Sequence, residues 1–270
     1  MVVQHNLSAM NTNRQMGVVT SALQKSTEKL SSGYKINRAG DDAAGLSISE
    51  KMRSQIRGLN KASDNAQDGI SLIQVAEGAL NETHSILQRM NELATQAAND
   101  TNTSVDRQSI KDEIEQLNEE LDRISTTTQF NKQDLLTGGF SGKLQVGALE
   151  GQTMDVKISL AVSANGLNVS AVEVSTNAKA GAAMQSIQDA IESVSKQRSK
   201  LGAIQNRLEH TINNLDTNAE NTQAAESRIR DTDMADEMVQ YSKNNILSQA
   251  GQSMLTQANQ QTQGVLSLLQ

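Results

Sequence analysis

Residues 48–94, ISEKMRSQIRGLNKASDNAQDGISLIQVAEGALNETHSILQRMNELA, decide the fold of this chain. Apolar or small side chains recur in this stretch at spacings of three and four residues, which is the period of one face of a helix. The pattern predicts a single helix from about Asp42 to Asn99. At 1.5 Å per residue, such a helix is roughly 85 Å long, which exceeds the width of a small globular domain. The residues on this face are Ile48, Met52, Ile56, Leu59, Ser63, Ala66, Ile70, Ile73, Leu80, His84, Leu87, Met90 and Ala94.

Helical spacing of apolar residues continues after residue 99, is interrupted by an alternating pattern at residues 143–160, and then returns. Apolar residues from Ile110 to Ile124 predict a second helix, with Asp106 or Ser104 as its N-cap. In residues 143–160 the apolar side chains alternate, which predicts a β-hairpin that turns at residues 150–152, and residues 166–176 predict another short strand or extended piece. From about residue 182 the spacing of three and four residues returns and continues to residue 215.

These patterns predict a mainly α fold. We expect an elongated hairpin of long helices, with a small β-hairpin region at its far tip and the terminal helices paired at the other end. The predicted parts are a terminal helix and joint (1–42), the first part of a rod with the hairpin (43–178), the second part of the rod (179–230) and a C-terminal helix (231–270).

Composition narrows the class of protein. The 270 residues include no Pro, Cys or Trp and only 1% aromatic residues, which favours long packed helices over a thick core. A net charge of −7 argues against nucleic acid as a partner, and the absence of cysteine excludes disulfides and thiolate metal sites. The N-terminal residues lack the pattern of a cleaved secretory signal, and no stretch has the length and apolarity of a membrane span, so we expect no membrane insertion.

The two terminal segments carry almost no charge. Residues 244–270 contain no Asp, Glu, Lys, Arg or His, yet their apolar residues keep helical spacing. Exposed helices normally carry charge on their outer face, so we interpret both segments as pairing with each other and with copies of themselves. In the free chain we expect them to be mobile. The predicted self-assembly residues are Leu247, Ala250, Met254, Ala258, Val265 and Leu268 in the C-terminal segment, and Met16, Val19 and Leu23 in the N-terminal one.

The Gly-Asp-Asp of residues 40–42 invites a catalytic or metal-binding interpretation. The alternative is a turn in which Gly40 relaxes the backbone and an aspartate caps the helix that follows. The histidines lie at positions 5, 84 and 210, none of them near Asp41 or Asp42 in sequence, and neither a zinc-protease motif nor a nucleophile elbow is present. We therefore favour the structural interpretation and predict neither enzymatic activity nor a cofactor.

Three long motifs closely resemble bacterial flagellin. They are HNLSAMNTNRQM near the N-terminus, LSSGYKINRAGDDAAGLSISEKMRSQIRGLNKASDNAQDGISLIQVAEGALNETHSILQRMNELATQAAND, and AESRIRDTDMADEMVQYSKNNILSQAGQSMLTQANQQTQGVLSLL near the C-terminus. The resemblance covers about residues 1–130 and 180–270 and lacks the large variable outer domain of many flagellins. It implies an extracellular subunit that polymerises into the flagellar filament, with terminal helices that fold upon assembly. The joint between the inner helix and the rod would contain Gly33, Arg38, Gly40, Asp41 and Asp42.

The resemblance also implies several partners. These are further copies of the chain, flagellar export chaperones, hook-associated and cap proteins, and the flagellin-sensing Toll-like receptor of animals. Secretion would occur through the hollow flagellum without a cleaved signal. By the match, Arg89, Leu93 and Glu113 occupy the central receptor-contact positions, with Gln96 and Ile110 nearby.

Two other classes of protein deserve comparison. A hook–filament junction protein shares such terminal helices, but the density of the match at both ends favours flagellin. A signalling coiled coil, such as the cytoplasmic hairpin of a chemoreceptor, would need a membrane anchor and charged outer faces at its ends, and the sequence shows neither.

Overall fold

Five helices contain most of the residues that the structure describes. The structure is a computed structural model that describes residues 6–267, with side chains for residues 6–261. The helices are α1 (Leu7–Ser32), α2 (Ala43–Ala97), α3 (Ser104–Thr127), α4 (Asn177–Arg230) and α5 (Met234–Ser267). Between α3 and α4 lie the strands β1 (Gln129–Phe130), β2 (Gln133–Asp134), β3 (Phe140–Gln145) and β4 (Thr153–Ile158). The predicted mainly α class is confirmed.

The chain divides into two units. The first unit contains the chain up to Ser54 and from Asn221 onward, and the second unit is the continuous stretch Gln55–Glu220. Helices α2 and α4 contribute residues to both units. The four-part division predicted from the sequence partitions the chain differently and stays a prediction.

The second unit has an apolar core built on the predicted face of α2. Ile73, Leu80 and Leu87 of that face are fully buried. They belong to one cluster with residues of α3, α4 and β4, because three long helices and a sheet each bury one apolar face against the others. Other members of the cluster are Met90, Ile114, Leu121, Leu135, Leu136, Ile158, Ile187, Val194 and Leu201.

The N-cap of α3 is Thr103, so the prediction of Asp106 or Ser104 at that position was wrong. The Thr103 amide donates to the Asp106 carboxylate at 2.9 Å, and the Asp106 amide donates to the Thr103 hydroxyl at 3.3 Å. This capping box satisfies two backbone donors at once, which a cap at Ser104 would not do. Hydrogen bonds from Thr103 also hold the pKa of Asp106 below its ordinary value.

The predicted β-hairpin is confirmed. Strands β3 and β4 pair antiparallel, from Phe140 opposite Ile158 to Gln145 opposite Thr153. Every second residue of β4 is buried, as the alternating sequence requires. The stretch 166–176 forms turns and irregular structure rather than another strand.

The hairpin lies along the helices of the second unit, whereas the sequence predicted it at their far tip. Asn65 of α2 donates to the Gln145 carbonyl at 3.1 Å, and Gln197 of α4 donates to the Lys157 carbonyl at 3.4 Å. The turn of the hairpin brings Ala148 against Gly58. The physical reason is burial: the apolar face of β4 needs cover along its whole length, and only the sides of the helices provide it.

Candidate self-assembly surface

The joint between α1 and α2 pairs with the connection between α4 and α5. Gly33 ends α1 in the left-handed conformation, with a φ of 76°, and its carbonyl accepts from the Thr232 amide at 3.0 Å. The Lys35 amide donates to the Arg230 carbonyl at 2.6 Å. The Arg230 guanidinium lies 4.4 Å from the centre of the Tyr34 ring, which adds a cation–π contact. Two backbone hydrogen bonds and one stacked pair therefore tie together segments from opposite ends of the chain.

Both aspartates of the Gly-Asp-Asp stretch accept hydrogen bonds from backbone amides. The Asp42 carboxylate accepts from the Gly45 amide at 2.9 Å and caps the start of α2, as predicted. The Asp41 carboxylate accepts from the amides of Arg38 at 3.0 Å and Asn37 at 3.3 Å. These hydrogen bonds, with smaller contributions from the charges of neighbouring cations, lower the pKa of Asp41. Within residues 6–267, no group of three or more acidic or histidine side chains could hold a metal ion.

The glycine with close neighbours at this turn is Gly45 rather than Gly40. Gly40 has an ordinary φ, and a Cβ added there would meet nothing within 4 Å, so its proposed role in relaxing the backbone was wrong. At Gly45 a Cβ would lie 2.4 Å from Asp42 Oδ2 and 2.8 Å from Ile36 Cδ1. A side chain at this position would therefore have to displace the capping carboxylate and the end of buried Ile36.

Two ion pairs connect the joint to α1. Arg38 Nε lies 2.9 Å from Glu28 Oε1, and Lys25 Nζ lies 3.9 Å from Asp41 Oδ1. Both pairs are largely open to solvent, so they orient the joint more than they stabilise it.

The terminal helices α1 and α5 pack against each other in antiparallel orientation, which confirms that the two terminal segments pair. Asn6 Nδ2 donates to the Ala258 carbonyl at 2.9 Å at one end of the pair. Lys29 Nζ lies 3.4 Å from Glu237 Oε2 at the other end. On the inner side of α1, Met16, Val19 and Leu23 are half-buried and Ser26 is buried.

The inner face of α5 consists mainly of small and polar residues. It is half-buried or buried against α1 and follows spacings of three and four residues: Tyr241, Asn244, Ser248, Gly251, Leu255 and Ala258. Of the self-assembly residues predicted on α5 whose side chains the structure describes, only Ala258 belongs to this face. The sequence analysis missed the other members because it followed apolar residues. The recurrence of Ser, Gly and Ala at helical spacing was the signal that could have identified them.

Three other predicted residues of α5, Leu247, Ala250 and Met254, lie on its exposed side. Leu247 is 45% and Met254 is 62% exposed, and Ala250 between them is also exposed. We call this side the outer face of α5, which comprises Val239, Ile246, Leu247, Ala250 and Met254. The outer face of α1 likewise presents exposed Leu7, Met10 and Val18. The side chain of Val265, and all of Leu268, lie outside the described residues.

The residues implied as receptor contacts fall into an exposed and a buried group in the second unit. Arg89 of α2 donates to Glu113 of α3 at 3.0 Å, and this hydrogen bond is the main cause of a raised Arg89 pKa. Both side chains are about half exposed, and Gln96 is exposed nearby on α2. Leu93 and Ile110 are only 2% and 6% exposed, because they face the core. They lie beneath this surface in the free chain, and the receptor contacts that the resemblance implies stay a prediction.

A helix pair that buries little apolar surface and exposes the rest is typical of a structural protein that associates with other molecules. The sequence matches the bacterial flagellin N-terminal helical region over residues 3–141 and the bacterial flagellin C-terminal helical region over residues 184–269. It is 56% identical to a flagellin of Halalkalibacterium halodurans over 271 residues, covering the whole of both chains. The chain therefore belongs to the bacterial flagellin family. It is a structural protein of the flagellar filament and not an enzyme.

The solved structures support the same fold. The crystal structure of Bacillus cereus flagellin superposes with a TM-score of 0.51 at 33% identity, covering 60% of this chain and 94% of that one. A putative flagellar hook-associated protein from Vibrio parahaemolyticus gives a TM-score of 0.62 at 16% identity, covering 71% of this chain and 100% of that one. The latter similarity shows the fold alone, so the hook–filament junction alternative is not favoured. No helix among the described residues is long and apolar enough to cross a membrane.

Proposed function

We propose that this chain polymerises into the flagellar filament through the outer faces of α1 and α5. The observation that supports this is the imbalance of burial in the first unit. Among the apolar side chains described there, only Ile36 and Ala258 are buried. Among the residues whose side chains are described, ten of the thirteen exposed large apolar ones belong to this unit. Burial of such surface against further copies supplies the favourable free energy of assembly.

The charge pattern supports copies of the same chain as the occupants of these faces. From residue 244 onward α5 carries no charged side chain, so its polar side meets a neighbour without the cost of desolvating charges. We expect the outer face of α5 of one copy to meet the outer face of α1 of the next copy, and these two faces differ in residues. Heterologous contacts that do not close into a ring produce an open helical polymer.

A truncation tests the proposal. A chain that ends at residue 243 retains the whole second unit, Gln55–Glu220, but lacks most of the outer face of α5. We expect it to stay monomeric when preformed filament seeds are added, while the full chain elongates them, as followed by turbidity and negative-stain electron microscopy. Circular dichroism of the truncated chain controls for loss of the second unit. Normal filaments from the truncated chain would disprove the role of α5.

The same surface supports the other flagellar partners that the resemblance implies. An exposed apolar helix face needs cover before assembly, and a flagellar export chaperone that holds α5 would provide it. Hook-associated and cap proteins would meet the exposed faces at the ends of the polymer. We propose secretion through the flagellum without a cleaved signal. Co-purification of a chaperone with the full chain, and its loss from the chain that ends at residue 243, tests the first of these contacts.

We also propose that the free chain binds the flagellin-sensing Toll-like receptor through Arg89, Glu113 and Gln96. The specific observation in favour is that these three polar side chains are exposed together on adjacent helices. Residues Leu93 and Ile110 beneath them are buried and hold the two helices together.

A matched pair of arginine substitutions tests the receptor proposal. Arg89→Ala should weaken binding of the monomer to the purified receptor ectodomain by at least about tenfold, as expected for an interface arginine. Arg123→Ala is the control, because Arg123 also pairs with an exposed glutamate, Glu120, on α3. Equal affinity of the two variants would remove Arg89 from the interface.

A further inference from the structure

The exposed methionines among the described residues all lie in the first unit. The sequence has 10 methionines, and the four that are exposed among the described residues all belong to the first unit. These are Met10 (64%), Met234 (47%), Met238 (50%) and Met254 (62%). In the second unit Met90 and Met154 are buried in the core and Met184 is half-buried.

Exposed thioethers react with peroxides. The sulfur of methionine attacks one oxygen of the peroxide, the O–O bond breaks, and the sulfur keeps that oxygen as a sulfoxide. With hydrogen peroxide, the second oxygen leaves as water after proton transfer. The sulfur is oxidised by two electrons and the peroxide is reduced by two. The product is a polar and chiral side chain in place of a flexible apolar one, and methionine sulfoxide reductases reverse the change.

Two of these methionines lie on the outer faces defined above. Met254 lies one helical turn from Ala250 and two turns from Leu247 on the outer face of α5, and Met10 lies on the outer face of α1. A sulfoxide at either position places a strong hydrogen-bond acceptor where the proposed contact buries apolar surface, and the cost of removing this acceptor from water opposes association. Met234 and Met238 add exposed thioethers at the first turns of α5.

We propose that Met10, Met234, Met238 and Met254 are sites of reversible oxidation by peroxides, and that oxidation at the outer faces blocks polymerisation of the free chain. This proposal rests on the function proposed above. In the filament the neighbouring copies cover the outer faces, so the same thioethers are protected once assembly has occurred. The surface is therefore sensitive to oxidants before polymerisation and resistant afterwards.

The test begins with free chain and finished filaments treated side by side with hydrogen peroxide. Peptide mass spectrometry should show one added oxygen at Met254 and Met10 of the free chain, at rates at least about tenfold higher than at buried Met90. In filaments the rate at Met254 should fall at least about tenfold. Equal rates at Met254 in the two states would overturn the protection.

The second part of the test measures elongation of seeds. Peroxide-treated chain should need at least about tenfold more protein to elongate seeds than untreated chain, and methionine sulfoxide reductases A and B together should restore growth. The Met10→Leu/Met254→Leu variant should keep its own untreated level of growth after peroxide treatment. The Met184→Leu variant, altered outside the surface, should stay as sensitive as the unaltered chain.

The outcomes separate the two proposals. If untreated chain elongates seeds and fully oxidised chain does so equally well, the inference on oxidation fails and the proposed function stands. If the Met10→Leu/Met254→Leu variant loses growth after peroxide as the unaltered chain does, the sites are wrongly assigned. If untreated chain does not elongate seeds at all, the proposed function fails and the inference fails with it.

Discussion

Replacement of Gly58 by alanine tests how closely the hairpin packs on α2. A Cβ at Gly58 would lie 2.8 Å from the Cβ and 3.3 Å from the Cα of Ala148. Ala148 has no side-chain rotamer that could move away, so the loop itself must shift by roughly 1 Å to restore van der Waals distance. Gly78 lies in the same helix with nothing within 4 Å of an added Cβ, so it provides the matched control.

Both substitutions change the free energy of unfolding through helix propensity, but only one of them also causes overpacking. Each gains about 1 kcal/mol of helix propensity when alanine replaces glycine. Only Gly58→Ala also has the cost of overpacking, about 1–3 kcal/mol. We therefore expect Gly78→Ala to raise the free energy of unfolding and Gly58→Ala to lie about 1–3 kcal/mol below it. For a unit of this size, that difference corresponds to a gap in Tm of about 2–12 °C.

Thermal unfolding followed by far-UV circular dichroism measures the gap. The double variant Gly58→Ala/Ala148→Gly should recover most of the lost stability, because it removes the methyl group that the new Cβ meets. Equal Tm values for Gly58→Ala and Gly78→Ala would refute the close packing. A failure of Ala148→Gly to rescue would show that the strain lies elsewhere.

Three further outcomes follow from the described contacts. Met254→Ala should raise the critical concentration for seed elongation about 5- to 30-fold, because about 1–2 kcal/mol of apolar burial is lost for each added subunit. Val105→Ala, at an exposed position of α3, is the control and should leave the critical concentration unchanged. Asp41 has a pKa lowered by the amides it accepts from, so its stabilisation of the joint is complete above the ordinary value of 3.8 and disappears as the pH falls through the folded pKa. Carbon-13 titration of its carboxyl should show that lowered value, and Asp41→Asn should remove this part of the acid sensitivity of amide exchange in the joint. Leu87→Ala should cost about 2–5 kcal/mol in denaturant unfolding, because Leu87 is fully buried, whereas exposed Val75→Ala should cost far less.

The long helices could be predicted because their periodicity is sustained. In α2 the residues from Leu59 to Ala94 repeat at three and four with no proline to interrupt them, and the observed helix ends within two residues of the predicted bounds. The hairpin was equally clear, since Met154, Val156 and Ile158 alternate with polar residues. Its position along the helices could not be predicted, because periodicity gives the buried face of a strand but not the element that covers it.

The predictions from the sequence failed where several neighbouring residues could form the same cap, and where small residues determine how segments pack. Thr103, Ser104 and Asp106 are all good N-cap residues, and only the reciprocal hydrogen bonds of the structure select the first. In the same way, the crowding at Gly45 comes from the side chains of Ile36 and Asp42, and a single sequence does not show which side chains approach a glycine. On α5 the sequence shows where apolar residues recur, but a lone sequence does not show which face pairs within the chain.

The paired helices α1 and α5 are the first and the last of the chain, and this determines the order in which parts of the molecule can fold during synthesis. The hydrogen bond from Asn6 to Ala258 joins residues 252 positions apart, while all residues of the second unit are present once residue 220 has been synthesised. A chain that emerges N-terminus first can therefore fold its middle long before its last helix arrives to meet its first. A polypeptide that stops before α5 has no partner for α1, so the helix pair that joins the two ends can form only after the last helix is present.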